Sequence, residues 1–318
     1  LAIFLTEKDV NEILTMQMAI DATEDCFKAL AAGKATNSPR SRLPLPGGVF
    51  NFMSAAAPGM GVLGLKAYAV TRGNPVKFYV QISSAETGEL LSIMEASDMG
   101  QIRTGAASGV ATKYMARQDA SSVGIIGSGY QAQTQLEAVC AVRNIRTARV
   151  FSRTPERREK FASEMSDKLG IEVKAVEDAE SCVKDADVVI TITSASRPVL
   201  NGEWLTPGTH INAAGANHWM RRELDGEAIA RSSIIVTDDV EQAKIECGDL
   251  IYPVEFGTIR WEQVRNLSDV VAGVLPGRTS DDDITLFESQ GLALEDIATG
   301  IRIHEAAKER GIGIELPF

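Results

Sequence analysis

Histidine is scarce, with three in 318 residues, and none of the four cysteines forms a Cys-x-x-Cys pair. So little ligating material excludes a transition-metal cage, and no metal site is expected. Cys26, Cys140, Cys182 and Cys247 are widely scattered. They read as buried thiols of a reducing compartment and exclude a disulfide framework. No apolar run approaches the ~20 residues that span a bilayer, so no membrane partner is expected. Basic charge is also short: 32 Lys+Arg against 43 Asp+Glu give a net charge of -11. That balance argues against nucleic acid, whose binders carry a basic footprint. It leaves room for an anionic small molecule, which needs only a few placed cations. There is no internal repeat, and the opening Leu1 to Val10 reads as too short and too acidic for a signal peptide. The expectation is a soluble, cytoplasmic, acidic α/β protein, long enough for about two domains.

The chain changes rhythm along its length. From Thr6 to Ala32, apolar residues recur at helical spacing (Val10, Ile13, Leu14, then Ile20, Phe27, Leu30), and Gly33 ends the run. Residues 37–48, rich in Pro, Ser and Arg, are expected to form a loop or an edge segment. Strands are predicted at Val62 to Val70, Lys77 to Ser83 and Leu90 to Glu95, then a helix from Gln101 to Met115. After that, strands and helices alternate: strands at Ser121 to Ile126, Ala148 to Phe151, Ile171 to Ala175 and Val188 to Thr193, with helices at Gln131 to Val142, Pro155 to Lys168 and Ala179 to Lys184. Further strands are predicted at His210 to Ala213 and Ile234 to Thr237. Such alternation predicts a parallel, doubly wound sheet of the Rossmann kind. The expected organisation is an α+β domain over 1–115, a dinucleotide-binding domain over 116–288, and a C-terminal segment, 289–318, whose helix returns to the first domain. Ile297, Ile301, Ile303 and Ala306 give that helix its apolar side.

The first strand of the alternating region runs into Gly127-Ser-Gly129-Tyr-Gln-Ala132, a G-x-G-x-x-A turn ahead of a helix. Gly127 permits the tight turn, Gly129 lets a pyrophosphate approach the backbone, and Ala132 allows close helix–strand packing. Ser128, Tyr130 and Gln131 complete the turn and are assigned to the coenzyme with it. Strand before and helix after make the motif specific for a dinucleotide. An NAD site places Asp or Glu at the end of the next strand, for the ribose 2′-hydroxyl. This chain has Ser152, Arg153 and Thr154 there and no acid. Two hydroxyls and a guanidinium can hold a 2′-phosphate, and no carboxylate repels it. NADP(H) is therefore expected over NAD(H), with NAD(H) as the alternative. Arg153 and Arg157 read otherwise as a solvated helix start. Thr104 and Thr193 are also assigned to the coenzyme.

Three cations stand among small or apolar residues: Arg40 in Ser-Pro-Arg-Ser, Lys66 in Gly-Leu-Lys-Ala-Tyr, and Arg103 in Ile-Arg-Thr-Gly-Ala-Ala. An ammonium within an apolar strand is costly to bury without a partner. Lys66 either snorkels at an edge or points into a polar pocket.

These segments resemble the ornithine cyclodeaminase/μ-crystallin family over nearly the whole chain. The matching stretches are Ser38-Pro-Arg40, Gly64-Leu-Lys66, Arg103-Thr-Gly-Ala-Ala107, Gly127-Ser-Gly129, Thr209-His-Ile-Asn-Ala-Ala-Gly215, Arg222-Glu-Leu-Asp225, Asp238-Asp-Val-Glu-Gln-Ala243 and Ser289-Gln-Gly-Leu-Ala293. The resemblance implies a homodimer built through the non-Rossmann domain and an active site between the domains. It also implies that Arg40, Lys66 and Arg103 hold a substrate carboxylate, with Lys66 near the reacting nitrogen. Cyclodeaminases and the family's alanine dehydrogenase carry Asp two residues after the glycine that Gly215 matches; here Asn217 stands there. An amide is no general base at neutral pH, though it can hydrogen-bond. Reducing a preformed imine asks less than deprotonating an ammonium, and the ketimine-reducing branch likewise lacks that Asp. The expected activity is reduction of 2-imino acids (ketimine or Δ1-pyrroline-2-carboxylate type) to L-amino acids, with Lys66 and Asn217 at the reacting centre. The alternatives are an alanine dehydrogenase-like enzyme or an ornithine cyclodeaminase, and a non-catalytic NADP(H)-binding protein. His218 is a second candidate acid, its ordinary pKa lying near neutrality, or else a polar loop residue. His210 and His304 read as structural.

Overall fold

The computed structural model describes residues 1–317. The chain divides into two compact units, Leu1–Arg103 with Leu292 onward, and Thr104–Gly291.

The first unit holds strands β1 (Ile3–Leu5), β2 (Thr36–Leu45), β3 (Gly48–Ala57), β4 (Val62–Thr71), β5 (Phe78–Ser84) and β6 (Leu90–Glu95), with helices α1 (Glu7–Ile13) and α2 (Met16–Ala31). Helix α3 (Ser97–Met115) begins here. Its start lies a turn earlier than the apolar pattern predicts, because the Glu7 carboxylate accepts the Ser97 and Asp98 N–H groups and so caps it. Residues 37–48, expected as loop or edge, contain most of β2, which is the edge strand. Pro39 and Pro44 are tolerated there because an edge leaves one side unpaired. Strand β3, for which the sequence carries no separate expectation, pairs with β2 and β4.

The second unit carries β7 (Ser122–Ile126), β8 (Thr147–Phe151), β9 (Glu172–Ala175), β10 (Val188–Thr191), β11 (His210–Ala213), β12 (Ile234–Thr237), β13 (Val264–Asn266) and β14 (Thr285–Glu288). Between them run α4 (Tyr130–Val142), α5 (Pro155–Leu169), α6 (Ala179–Val183), α7 (Gly226–Arg231), α8 (Val240–Glu246), α9 (Gly248–Glu255) and α10 (Leu267–Val271). All strand pairs are parallel, in the order β13-β12-β14-β11-β10-β7-β8-β9. The sheet is wound in opposite directions from β7, so its switch point lies between β7 and β10, where doubly wound sheets bind ligands at their strand C-termini.

The unit boundary falls inside α3 rather than at its end. Beyond Arg103 the helix approaches α4 too closely for side chains: a Cβ on Gly105 would lie 2.4 Å from the Thr134 carbonyl oxygen. The second boundary falls after Gly291 because the Asp238 carboxylate accepts the Gln290 and Gly291 N–H groups. From Leu292 the chain rejoins the first unit as α11 (Ala293–Arg310) and β15 (Ile314–Glu315). Helix α11 lies on the buried face of the first sheet. Ile297 approaches Gly64 of β4, and Gly300 lets the helix come down on Ile82 and Met94. That face carries Met53, Lys66, Val80, Ile82 and Met94, all buried. The other face exposes Phe52, Leu63, Leu65 and Tyr79.

Among the described residues no helix is long and apolar enough to cross a membrane. Cys26, Cys182 and Cys247 are buried and Cys140 half-buried, all as free thiols.

Candidate active site

Two groups of side chains stand out, one in each unit. In the second unit, Gly127 has φ +120°, and a Cβ there would lie 2.3 Å from the Ile192 carbonyl oxygen. Only glycine fits this turn. Gly129, the N-cap of α4, is different: no protein atom lies within 4 Å of a Cβ built on it. The protein's own packing does not require glycine there, whereas an approaching ligand would. No side chain caps α4, and Gln131 Oε1 is buried without a hydrogen bond among the described residues. An uncapped helix N-terminus behind a glycine turn is an anion cradle. These features fit a dinucleotide pyrophosphate. Ala132 is fully buried behind the turn.

Ser128 Oγ donates to Ser152 Oγ across 2.8 Å, joining the glycine turn to the end of β8. The Arg158 guanidinium donates to the Ser152 carbonyl and lies over the Phe151 ring. Arg153 and Thr154 are exposed beside them. A cleft lined by Ser128, Gly129, Tyr130, Gln133, Arg157 and Lys160 opens at this corner. Phe161 and Glu164 complete the lining; Lys160 Nζ lies 3.6 Å from Glu164 Oε1, so Arg157 alone adds net positive charge beside Ser152, Arg153 and Thr154. The Thr104 carbonyl accepts from Gln135 Nε2 on α4.

The strand predicted to reach Thr193 ends at Thr191. The Thr193 N–H instead turns to the Glu223 carboxylate, which also accepts from Gly215 N–H. Burial lifts the Glu223 carboxyl to about 7 even though these N–H donors oppose the rise. Beyond Gly215, Asn217 is exposed. His218 is half-buried, accepts from the Met220 N–H at Nδ1 and stacks on Trp219. His210 is fully buried between Thr285 and Asn212, and burial lowers it to about 3. His304 is also buried.

In the first unit, Arg40, Lys66 and Arg103 are all buried. Lys66 Nζ donates to Asp296 Oδ1 across 2.8 Å. Arg103 donates from Nε to the same oxygen at 2.9 Å, and from Nη1 to Glu295 Oε2 at 2.8 Å. Burial pulls Lys66 down to about 8; Asp296 resists, while Arg103 and Arg40 push the same way as burial. Burial opposes the Arg103 charge, but Asp296 and Glu295 more than offset it, and the guanidinium stays above its ordinary value. Burial raises the Glu295 carboxyl. Arg40 Nε stands 3.4 Å from Met53 Sδ. Of Lys66's two sequence readings, the structure therefore realises a buried polar environment rather than an exposed edge. An ammonium has three donors and a guanidinium five, and these contacts use one of Lys66 and two of Arg103; the ammonium also lies 5.1 Å from the Phe78 ring centroid.

Sequence reasoning missed Glu295 and Asp296. Two consecutive acids in Leu-Ala-Leu-Glu-Asp-Ile, at the start of an apolar helix, are the same kind of signal that marked Lys66. It also missed the side-chain role of Glu223, although the segment around it was singled out.

The profile of the ornithine cyclodeaminase/mu-crystallin family matches residues 2–311. The chain belongs to this family. It is similar to the alanine dehydrogenase of Archaeoglobus fulgidus, at 37% identity over 99% of this chain and 98% of that one. Among solved structures it is similar to the Thermococcus litoralis Δ1-pyrroline-2-carboxylate reductase in complex with NADH and L-proline, with 39% identity and TM-score 0.94, covering 99% of this chain and 100% of that one. It is likewise similar to the Paracoccus denitrificans iminosuccinate reductase in complex with NAD+, with 30% identity and TM-score 0.94, covering 100% and 99%. Family membership accounts for the pairing of a Rossmann unit with an α+β unit in one chain.

Proposed function

We propose that the protein is an NAD(P)H-dependent reductase of 2-imino acids, of the ketimine or Δ1-pyrroline-2-carboxylate type, giving L-amino acids. The observation that carries this reading is the buried Lys66–Arg103 pair, anchored by Asp296 and Glu295 yet retaining donors for an anion. Similarity to a reductase solved with NADH and L-proline, and to an iminosuccinate reductase, supports the substrate class.

In this reading the reduced nicotinamide, when bound, supplies hydride to the imine carbon. Gly127 to Ala132 hold the pyrophosphate, with Thr104 and Thr193 assigned to the same coenzyme. Arg40 and Arg103 hold the substrate carboxylate. Lys66, at about 8, is largely protonated at neutral pH and can deliver the proton that the nitrogen gains. Asn217 hydrogen-bonds the substrate without acting as a base. Replacing Lys66 by Ala is expected to lower kcat about 10²-fold. A change confined to KM would reduce it to a binding role.

The assignment extends to NADP(H) over NAD(H), on Ser152, Arg153 and Thr154 with Arg157 alongside. The solved relatives described above hold NADH or NAD+, so NAD(H) is the alternative. The chain also acts as a homodimer in this reading, through the sheet face that exposes Phe52, Leu63, Leu65 and Tyr79.

The likeness to alanine dehydrogenase favours a second reading, oxidative deamination of an amino acid; Asn217 in place of a carboxylate weighs against it. Coenzyme consumption across a panel of cyclic and linear imino acids tests the proposal. Turnover of imino acids without added ammonia is the expected result. Reaction only with pyruvate plus ammonia would replace it with the dehydrogenase reading.

A further inference from the structure

The Glu223 side chain joins two chain segments that no motif connects. Its Oε1 accepts the Thr193 N–H across 2.5 Å, just past β10, and its Oε2 accepts the Gly215 N–H across 2.8 Å, just past β11. The two strands are adjacent and in register at their ends, Thr191 opposite Ala213. The segments leaving them therefore emerge side by side at the carboxyl edge of the sheet, where open α/β sheets bind their ligands. One N–H on each oxygen calls for a group that accepts at both; a carboxylate does, and an amide cannot.

The glutamate is itself held rigidly. Asp249 Oδ1 accepts both the Glu223 and Leu224 N–H groups, at 2.9 and 2.8 Å. The Glu223 carbonyl accepts from Val199 and Leu200. The side chain has no exposure. Gly215 makes the close approach feasible: a Cβ there would stand 2.4 Å from the Thr193 carbonyl oxygen and 2.5 Å from Glu223 Oε2.

We propose that Glu223 is a positioning residue that staples the segment after β10 to the segment after β11 and thereby fixes the seat of the nicotinamide half of the coenzyme. The inference rests on the coenzyme reading of this unit. It predicts that loosening the staple harms the nicotinamide end and spares the adenosine end.

The test uses the full chain with Glu223→Gln, which sets an amide NH2 against one backbone N–H, and separately Gly215→Ala, which pushes the same two segments apart. Three quantities are read: affinity for 2′,5′-ADP and AMP, which lack nicotinamide; the fluorescence of bound NADPH or NADH; and kcat with an imino acid. Both variants are expected to bind the adenosine fragments within about twofold of wild type. They are expected to lose the wild-type emission of bound reduced nicotinamide and to fall about 10²-fold in kcat, the scale of a ~1 Å misplacement. Unchanged emission and kcat, or a parallel loss of adenosine-fragment affinity, overturns the proposal. Should Glu223→Gln not fold, Gly215→Ala decides it alone. A wild type that binds coenzyme but reduces no imino acid ends the substrate reading, and the emission comparison still judges Glu223. A wild type that binds neither fragments nor coenzyme ends the coenzyme reading and this inference together.

Discussion

Asp296→Asn keeps the shape of the side chain and removes its charge. In the folded protein one Asp296 oxygen receives both the Lys66 ammonium and the Arg103 Nε–H. Burial has already brought Lys66 down to about 8, with Arg103 and Arg40 pushing further and Asp296 resisting. An opposite charge at contact distance shifts a pKa by about 1–3 units, so its loss drops Lys66 to roughly 6. At pH 7.5 a group at about 8 is roughly three-quarters protonated, whereas one at roughly 6 is only about 3% protonated. If Lys66 supplies the proton, kcat/KM at that pH falls about twenty-five-fold from this cause alone. The assay is kcat/KM against pH for one imino acid, in wild type and variant. Titration of the substrate is common to both, so the displacement of the basic limb reports the enzyme. The expected limb lies near 8 in wild type and moves down by about two units in the variant. An unmoved limb refutes the claim that Lys66 is the titrating acid. The variant also weakens the fold, because removing one partner of a buried ion pair costs about 3–5 kcal/mol, and thermal unfolding measures that loss independently.

Arg153→Ala is expected to weaken NADPH binding about 10- to 100-fold, the range of one charge-assisted hydrogen bond, and to leave NADH binding nearly unchanged; equal losses for both coenzymes would reverse the NADP(H) assignment. Leu65→Arg places a charge on the exposed sheet face, opposite Ser54 and Gln81; light scattering is expected to record a dimer for the wild type and a monomer for the variant, and a monomeric wild type would refute the proposed homodimer. His210 is held neutral in the fold down to about 3. The unfolded chain takes up that proton near 6.5, so acid favours unfolding across this window. The contribution is on the order of 5 kcal/mol and is lost progressively as pH falls from 6.5 towards 3. His210→Gln should flatten the stability–pH curve there by about one proton, as read from denaturant titrations at several pH values.

The sequence disclosed most where one local rule decides the structure. Strand, glycine turn and helix are contiguous from Ser122 to Val142, and Gly127 has the positive φ that its motif implies. Lys66 was legible because an ammonium among strand apolars has few explanations, and it is buried against Asp296. Asp296 itself was not, because its partner lies 230 residues away and an acid in a first helical turn looks ordinarily solvated. Glu223 was hidden because its partners are backbone N–H groups, of Thr193 and Gly215, which no side-chain pattern marks. Strand β14, four residues buried between β11 and β12, carries no signal in the sequence that set it apart, although strands of the same length at β10, β11 and β12 do. Residues 37–48, read as loop or edge, form most of the edge strand β2, where their prolines are accommodated. The family resemblance, drawn from short segments, extends over residues 2–311.

The central claim is that this chain passes hydride to the carbon of an α-imino acid. The direct measurement is incubation of the purified protein with NADPH and Δ1-pyrroline-2-carboxylate, following the reduced nicotinamide by absorbance and resolving proline by chirality. One equivalent of L-proline is expected for each coenzyme oxidised. Coenzyme that binds yet is not consumed with this or any other imino acid, or ammonia released from ornithine instead, would contradict it.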